Sequence, residues 1–126
     1  LHAILCYKPP GAVESWTKEQ DDAVMAKLLV VEQKLTKAGK LGPAVRLMPT
    51  AAARTLRKND PVVVTDGPFA ETKEHLLCFY LVDCATLDEA VEVAKDLGRA
   101  NPGGSYEVRP VAVYHPGAAE AVAGNR

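Results

Sequence analysis

The segment from Asp66 to Glu74 holds the densest set of residues that could do chemistry. It reads DGPFAETKE and places three carboxylates, Asp66, Glu71 and Glu74, close in sequence to the ammonium of Lys73. A carboxylate in a partly apolar cleft has a raised pKa and can act as a general acid or base. Lys73 can hold an anionic substrate, and Phe69 can supply an apolar wall. The alternative interpretation is a turn followed by a solvated charged loop, because Asp-Gly-Pro alone favours a turn.

His75 follows this segment directly and is the only histidine near candidate acids. Paired with Asp66 or Glu71, it would form a proton-transfer couple, since histidine titrates near neutral pH. We therefore name Asp66, Glu71 and His75 as candidate catalytic residues. The alternative for His75 is packing at the edge of a sheet.

Candidate substrate-binding residues also lie outside the segment. Arg109 sits in an apolar stretch, where it would bind a substrate carboxylate or pair with a neighbouring acid. Arg46 and Arg54 are weaker candidates for the same role of binding a substrate carboxylate. Tyr80 would line a pocket or pack in the core. Together with Lys73 and Phe69, Arg109 and Tyr80 complete the predicted substrate-binding set.

Composition excludes several classes of protein. The chain has 126 residues, with 48% apolar and 25% charged residues and a net charge of -1. These values are typical of one soluble domain. The chain has no excess positive charge that would attract nucleic acid or an anionic membrane. No apolar run reaches the length of a membrane span, and no GxGxxG, GxxxxGK[ST] or metal motif occurs. We expect a cytoplasmic protein with no cofactor and no metal.

The three cysteines are Cys6, Cys78 and Cys84. An odd number argues against a framework of disulfides. Cys78 and Cys84 fall in one predicted strand, roughly 20 Å apart at about 3.3 Å per residue, which is too far to bridge. We expect buried thiols that act as small apolar groups.

The pattern of apolar and turn residues predicts one domain at 1–115, followed by a flexible tail at 116–126. A Thr17/Gln20 capping box starts the first helix, and Thr86 and Gly98 bound the second. Predicted helices span 18–38 and 86–98, and predicted strands span 1–7, 45–48, 52–57, 62–65, 76–83 and 105–114. Merging the segments between 45 and 65 as one broken hairpin yields an α+β, ferredoxin-like β-α-β-β-α-β sandwich.

Several predicted strands are apolar on both faces. Residues 77, 79 and 81 point one way and residues 78, 80 and 82 the other, and all are apolar or aromatic. Two helices cover only one face of a sheet, and a large exposed apolar face is unusual for a monomer. The pattern therefore predicts a homodimer in which the open sheet faces meet. The alternative is a monomer whose long loops fold over the sheet.

The string Val63 to Glu74, VVTDGPFAETKE, resembles the signature of the DGPF branch of the YCII-related family. The likeness extends to an apolar first strand at Leu1 to Tyr7, to TLDEA at Thr86 to Ala90 and to EVRPV at Glu107 to Val111. It covers residues 1 to 113. Two departures stand out: Leu77-Cys78 replaces a common Gly-Gly, and residues 9 to 60 lack the histidine of the dyad used by better understood members.

The resemblance implies a ferredoxin-like subunit of a dimeric α+β barrel. Relatives on that barrel include cofactor-free monooxygenases, lactone isomerases and small lyases, which use the cavity between sheet and helices. The first hypothesis is therefore a cofactor-independent acid/base enzyme acting on a small anionic organic molecule. Genes of the DGPF branch often lie beside extracytoplasmic-function sigma factors. The alternative is accordingly a ligand-sensing or regulatory module, linked to sigma-factor-controlled transcription, without turnover.

Overall fold

A computed structural model describes residues 1–9, 11, 15–58, 60–69 and 72–117. Six strands, two α-helices and one short 3-10 turn at Thr50–Ala52 are formed in this part of the chain. In chain order the elements are β1 (His2–Lys8), α1 (Lys18–Lys37), β2 (Leu41–Arg46), β3 (Arg54–Arg57), β4 (Val63–Asp66), β5 (His75–Val82), α2 (Leu87–Ala100) and β6 (Ser105–Pro110).

The main sheet has four antiparallel strands in the order β2-β5-β1-β6. With α1 and α2 as the two connections on one face, this is the ferredoxin-like β-α-β-β-α-β plan, and the predicted fold class is confirmed. Strands β3 and β4 form a separate two-stranded hairpin inserted between β2 and β5. Among the described residues, neither helix is long and apolar enough to cross a bilayer.

The predicted hairpin between 52–57 and 62–65 is confirmed, since β3 pairs with β4, but the inclusion of segment 45–48 in that hairpin is wrong. Strand β2 begins at Leu41, pairs with β5, and does not pair with β3 or β4. The sequence LGPAVR hides this strand because Gly42 and Pro43 both disfavour strand interiors. Proline is tolerated because β2 is an edge strand. Gly42 approaches β5 so closely that an added Cβ would lie 3.0 Å from the carbonyl oxygen of Leu81.

The two helices begin where the sequence predicts. Thr17 caps α1 through a reciprocal capping box with Gln20, and the Thr86 hydroxyl accepts the Glu89 backbone N–H at the start of α2. The predicted end of α2 at Gly98 is wrong, since the helix continues to Ala100. Gly98 instead faces the Tyr106 ring, where an added Cβ would be 3.8 Å away.

The core lies between the helices and the inner face of the sheet. On β1 and β5 alternate residues are buried, as the period of two requires. Ile4, Val82 and Leu97 are completely or almost completely buried and join all three elements in one cluster. All three cysteines are buried and unpaired, as predicted.

The opposite face of the sheet is apolar in its centre and charged at one edge. Leu5 pairs with Phe79 and Ala3 with Leu81, and all four are only half-buried. Strand β6 adds the charged residues Glu107 and Arg109 to this face. It ends at Pro110, so the predicted continuation of the strand to residue 114 is wrong. Most of the predicted tail, at 118–126, lies outside the described residues.

Candidate functional site

The described part of the 66–74 segment lies beside the hairpin and is exposed. The Asp66 side chain is 95% exposed, with its Oδ1 3.7 Å from Arg54 Nε. Phe69 is 74% exposed and its ring lies 5.6 Å from the Arg57 guanidinium carbon. Lys73 is exposed as well. The segment thus brings charged and aromatic groups to the surface.

The remaining candidates are dispersed. Glu71 lies outside the described residues. His75 starts β5, is half-buried, and lines a surface groove with Pro68. Arg109 is on the open sheet face, with its Nε 3.7 Å from a Glu107 carboxylate oxygen. The catalytic and binding roles of these residues stay predictions.

Of the described candidates, Tyr80 and Arg46 line the cavity formed by α1, the inner face of β1, β2 and β5, and the residue after α2. We call this space the helix-side cavity. It has a volume of about 180 Å³. Its apolar wall comes from Val24, Met25 and Leu28 of α1, with Leu77 of β5. Its polar groups are Lys8, Glu32, Arg46, Cys78, Tyr80 and Asn101.

Lys8 places a buried ammonium at the wall of this cavity. The residue is 3% exposed. Its Nζ donates to Asn101 Oδ1 at 2.6 Å and to the Pro102 carbonyl at 3.1 Å, and lies 4.2 Å from the centre of the Trp16 ring. Burial lowers the pKa of Lys8. The described acceptors thus use two of the three N–H donors of the ammonium, and the Trp16 ring lies beside the same nitrogen.

Arg46 brings a second cation to the same cavity from β2. Its Nη1 lies 3.3 Å from Asp21 Oδ1 and 3.6 Å from Met25 Sδ, so α1 holds the guanidinium in place. Its side chain is 42% exposed, and Met25 is likewise exposed. The cavity therefore reaches solvent near Arg46, while Lys8 lies at its interior.

Glu32 is the one carboxylate that the described residues contribute to the cavity wall. It lies on α1, half-buried, and burial raises its pKa. Burial also raises the pKa of the Tyr80 hydroxyl, and the Glu32 charge adds to this effect. A carboxylate whose pKa is moved toward neutrality is better matched to proton transfer in water.

The comparison with protein families assigns the chain. The sequence model of the YCII-related domain matches residues 1–115. This chain belongs to the YCII-related family. It is 57% identical over 119 residues to an uncharacterized protein of Rhizobium meliloti (strain 1021), with 93% of this chain and 96% of the relative covered.

For this YCII-related protein, sequence reasoning missed Lys8 and Glu32. Lys8 shares the alternation of His2, Ile4 and Cys6, which places it on the inner face of β1. Glu32 lies four residues after Leu28 and three before Leu35, both buried, so helical spacing puts it on the same face of α1. Strand alternation and helical spacing thus indicate both positions, but charged residues are usually expected to face solvent. Among the described residues, no group of three or more His, Cys, Asp or Glu side chains is placed to hold a metal ion.

Proposed function

We propose that the protein binds a small organic anion in the helix-side cavity and transfers a proton through Glu32, as a cofactor-independent acid/base enzyme. The observation that carries the proposal is the buried Lys8 ammonium at the cavity wall. A buried cation needs compensation, because the charged form is costly away from water. The two described hydrogen bonds of Lys8 go to neutral acceptors. An anionic ligand would complete the site.

The size of the cavity limits the ligand. A cavity of about 150 Å³ in another protein admits a benzene molecule, so the 180 Å³ available here suits a compact carboxylate and excludes a nucleotide. The apolar wall from α1 would contact the carbon skeleton. Lys8 and Arg46 would hold the carboxylate or a neighbouring oxygen.

The proposed reaction is proton abstraction from carbon. An ionised Glu32 takes the proton from a carbon next to a carbonyl group, and the electron pair of that C–H bond moves onto the carbonyl oxygen. Lys8 or Arg46 stabilises the resulting oxyanion, as preorganised donors do in low-dielectric sites. Returning the proton to another carbon completes an isomerisation without any co-reactant.

A ligand screen followed by hydrogen exchange tests the proposal. Small keto, unsaturated and aromatic acids are screened by thermal shift, and hits are followed by proton NMR in D2O. We expect at least one acid to stabilise the protein and to exchange a carbon-bound proton. Arg46→Gln should weaken stabilisation by that acid, and Glu32→Gln should stop exchange while leaving binding in place.

The segment at 66–74 provides the matched control. Its string supports placing the chain in the DGPF branch of the family, and Asp66 is the best exposed of its described carboxylates. Asp66→Asn should leave both stabilisation and exchange unchanged. If Asp66→Asn abolishes stabilisation and Arg46→Gln does not, the site lies at the segment and the proposal fails. Binding without exchange would instead identify a ligand-sensing module.

We also propose that two copies of the chain associate through the open face of the sheet. Support comes from the half-buried apolar residues Leu5, Phe79 and Leu81 on that face, which neither helix covers. A stable interface buries about 800 Å² per partner, and a four-stranded sheet face offers such an area.

Analytical ultracentrifugation tests this association. The wild type is expected to sediment at twice the chain mass of 13.5 kDa. Leu5→Asp should shift it to a single chain, because a carboxylate in an apolar interface is strongly disfavoured. Val30→Asp, on an exposed part of α1, should not. A wild type that sediments as one chain at micromolar concentration would rule the dimer out.

A further inference from the structure

Cys6 and Cys78 face each other across the central strands of the sheet. They are direct partners in the β1/β5 register. Cys6 is fully buried and Cys78 is 8% exposed. Both side chains lie on the buried inner face of the sheet, so the two thiols are neighbours across the strand pair.

The surroundings of the pair differ from those of an inert core thiol. Asn101 Nδ2 lies 3.9 Å from Cys6 Sγ, and the Lys8 ammonium interacts with both sulfurs. The hydrogen bond from Cys78, together with Lys8, lowers the pKa of Cys6. The hydrogen bond to Cys6 and burial raise the pKa of Cys78. Such an electropositive setting is typical of reactive cysteines.

The two sulfurs also differ in access. Cys78 lines the helix-side cavity, whereas Cys6 lies behind it in the core. A small solute in the cavity therefore meets Cys78 first. Cys84, the third thiol, lies beyond the end of β5 and does not line the cavity.

We propose that Cys6 and Cys78 form a redox-active dithiol that a hydroperoxide entering the helix-side cavity oxidises to an intramolecular disulfide. Directly opposed residues of antiparallel strands have Cα atoms about 4.5 to 5.5 Å apart, within the range of about 4.4 to 6.8 Å that disulfides occupy. No movement of the strands is needed. The inference does not depend on the proposed anion chemistry.

The reaction proceeds in two balanced steps. The Cys78 sulfur attacks the terminal oxygen of the hydroperoxide and the O–O bond breaks. The departing oxygen takes up the Cys78 proton and leaves as an alcohol. Cys78 is then a sulfenic acid. The Cys6 sulfur attacks the Cys78 sulfur, and hydroxide leaves with the Cys6 proton as water. The pair loses two electrons in total, which the peroxide gains.

Thiol counting and peptide mapping test the proposal. The protein is treated with hydrogen peroxide, quenched with catalase, unfolded and alkylated. The wild type is expected to lose two of its three thiols and to recover both on reduction with dithiothreitol. Cleavage with trypsin and then before Asp83 separates Cys78 from Cys84. Trypsin does not cut the Lys8–Pro9 bond, so the peptide 1–18 should be linked to 74–82.

Single variants supply the controls. Cys84→Ser keeps only Cys6 and Cys78 and should lose both thiols on peroxide treatment. Cys6→Ser and Cys78→Ser should form no intramolecular disulfide, with circular dichroism checking that each is folded. Cys84→Ser keeps the native pair, so the test stands even if the other two variants unfold. Retention of both thiols in Cys84→Ser, or oxidation of wild-type Cys84 as fast as Cys78, would overturn the proposal, as would disulfides only between separate chains.

Discussion

Lys8→Met is expected to weaken binding of a small carboxylate by about 10- to 100-fold, since a hydrogen bond to a charged group contributes about 1.5 to 3 kcal/mol and about 1.4 kcal/mol corresponds to a tenfold change. Methionine keeps the length and the apolar stem but removes the ammonium at the cavity wall. Isothermal titration with an acid found in the screen measures the effect.

The matched control is Lys73→Met, which removes an exposed ammonium from the 66–74 segment. It should leave affinity unchanged. Lys8→Met also leaves the buried Asn101 oxygen without its partner, which costs about 1 to 3 kcal/mol of stability. Titration is therefore done at a temperature where circular dichroism shows the variant folded. Equal affinities for wild type and Lys8→Met would remove Lys8 from the binding site.

Gly104→Ala is expected to be the more damaging of two alanine substitutions at adjacent glycines. Gly103 and Gly104 have φ values of +83° and +79°, so alanine costs about 1 to 2 kcal/mol at either position. At Gly103 an added Cβ would meet nothing within 4 Å. At Gly104 it would overlap the Tyr7 carbonyl oxygen and lie 2.9 Å from Lys8 Cγ. Overpacking of this kind adds about 1 to 3 kcal/mol.

Urea unfolding of the two variants measures the difference at equal protein concentration. Because both positions share the same backbone penalty, subtraction isolates the clash with β1. Gly104→Ala should also weaken anion binding, since relief of the clash moves Lys8. Equal midpoints for the two variants would mean that β1 and the loop before β6 are further apart than described.

Local chemistry predicted much of the fold. The Thr17 capping box and the spacing of apolar residues placed α1 to within one residue of its observed end. Apolar runs next to turn or charged residues placed β1 and β5. The errors arose where tertiary contacts override local preference. Gly98 stays helical because α2 packs on Tyr106, and Gly42-Pro43 stays in a strand because β5 supplies a partner.

The candidate site was less accessible to prediction. The dense charge at 66–74 led the prediction to a segment that lies on the surface beside the hairpin. The helix-side cavity is instead lined by single residues from separate elements, which no local pattern groups together. Tyr80 and, as a weaker candidate, Arg46 were the residues of this cavity that the sequence also indicated. The contact between Cys6 and Cys78 depends on strand register, which spacing along one chain does not reveal. Strand alternation does assign Lys8 to the inner face of β1, but lysine side chains are rarely buried, so the residue type favours an exposed position.

The short side chain of Asn101 connects three parts of the structure. It ends α2, its Oδ1 accepts from Lys8, and its Nδ2 donates to Tyr106 Oη at 3.1 Å. Aspartate would lose the donor, leucine would lose both functions, and glutamine would carry the amide one methylene too far. Position 101 therefore tolerates few substitutions. A change there would disturb the end of α2, the edge strand β6 and the helix-side cavity together.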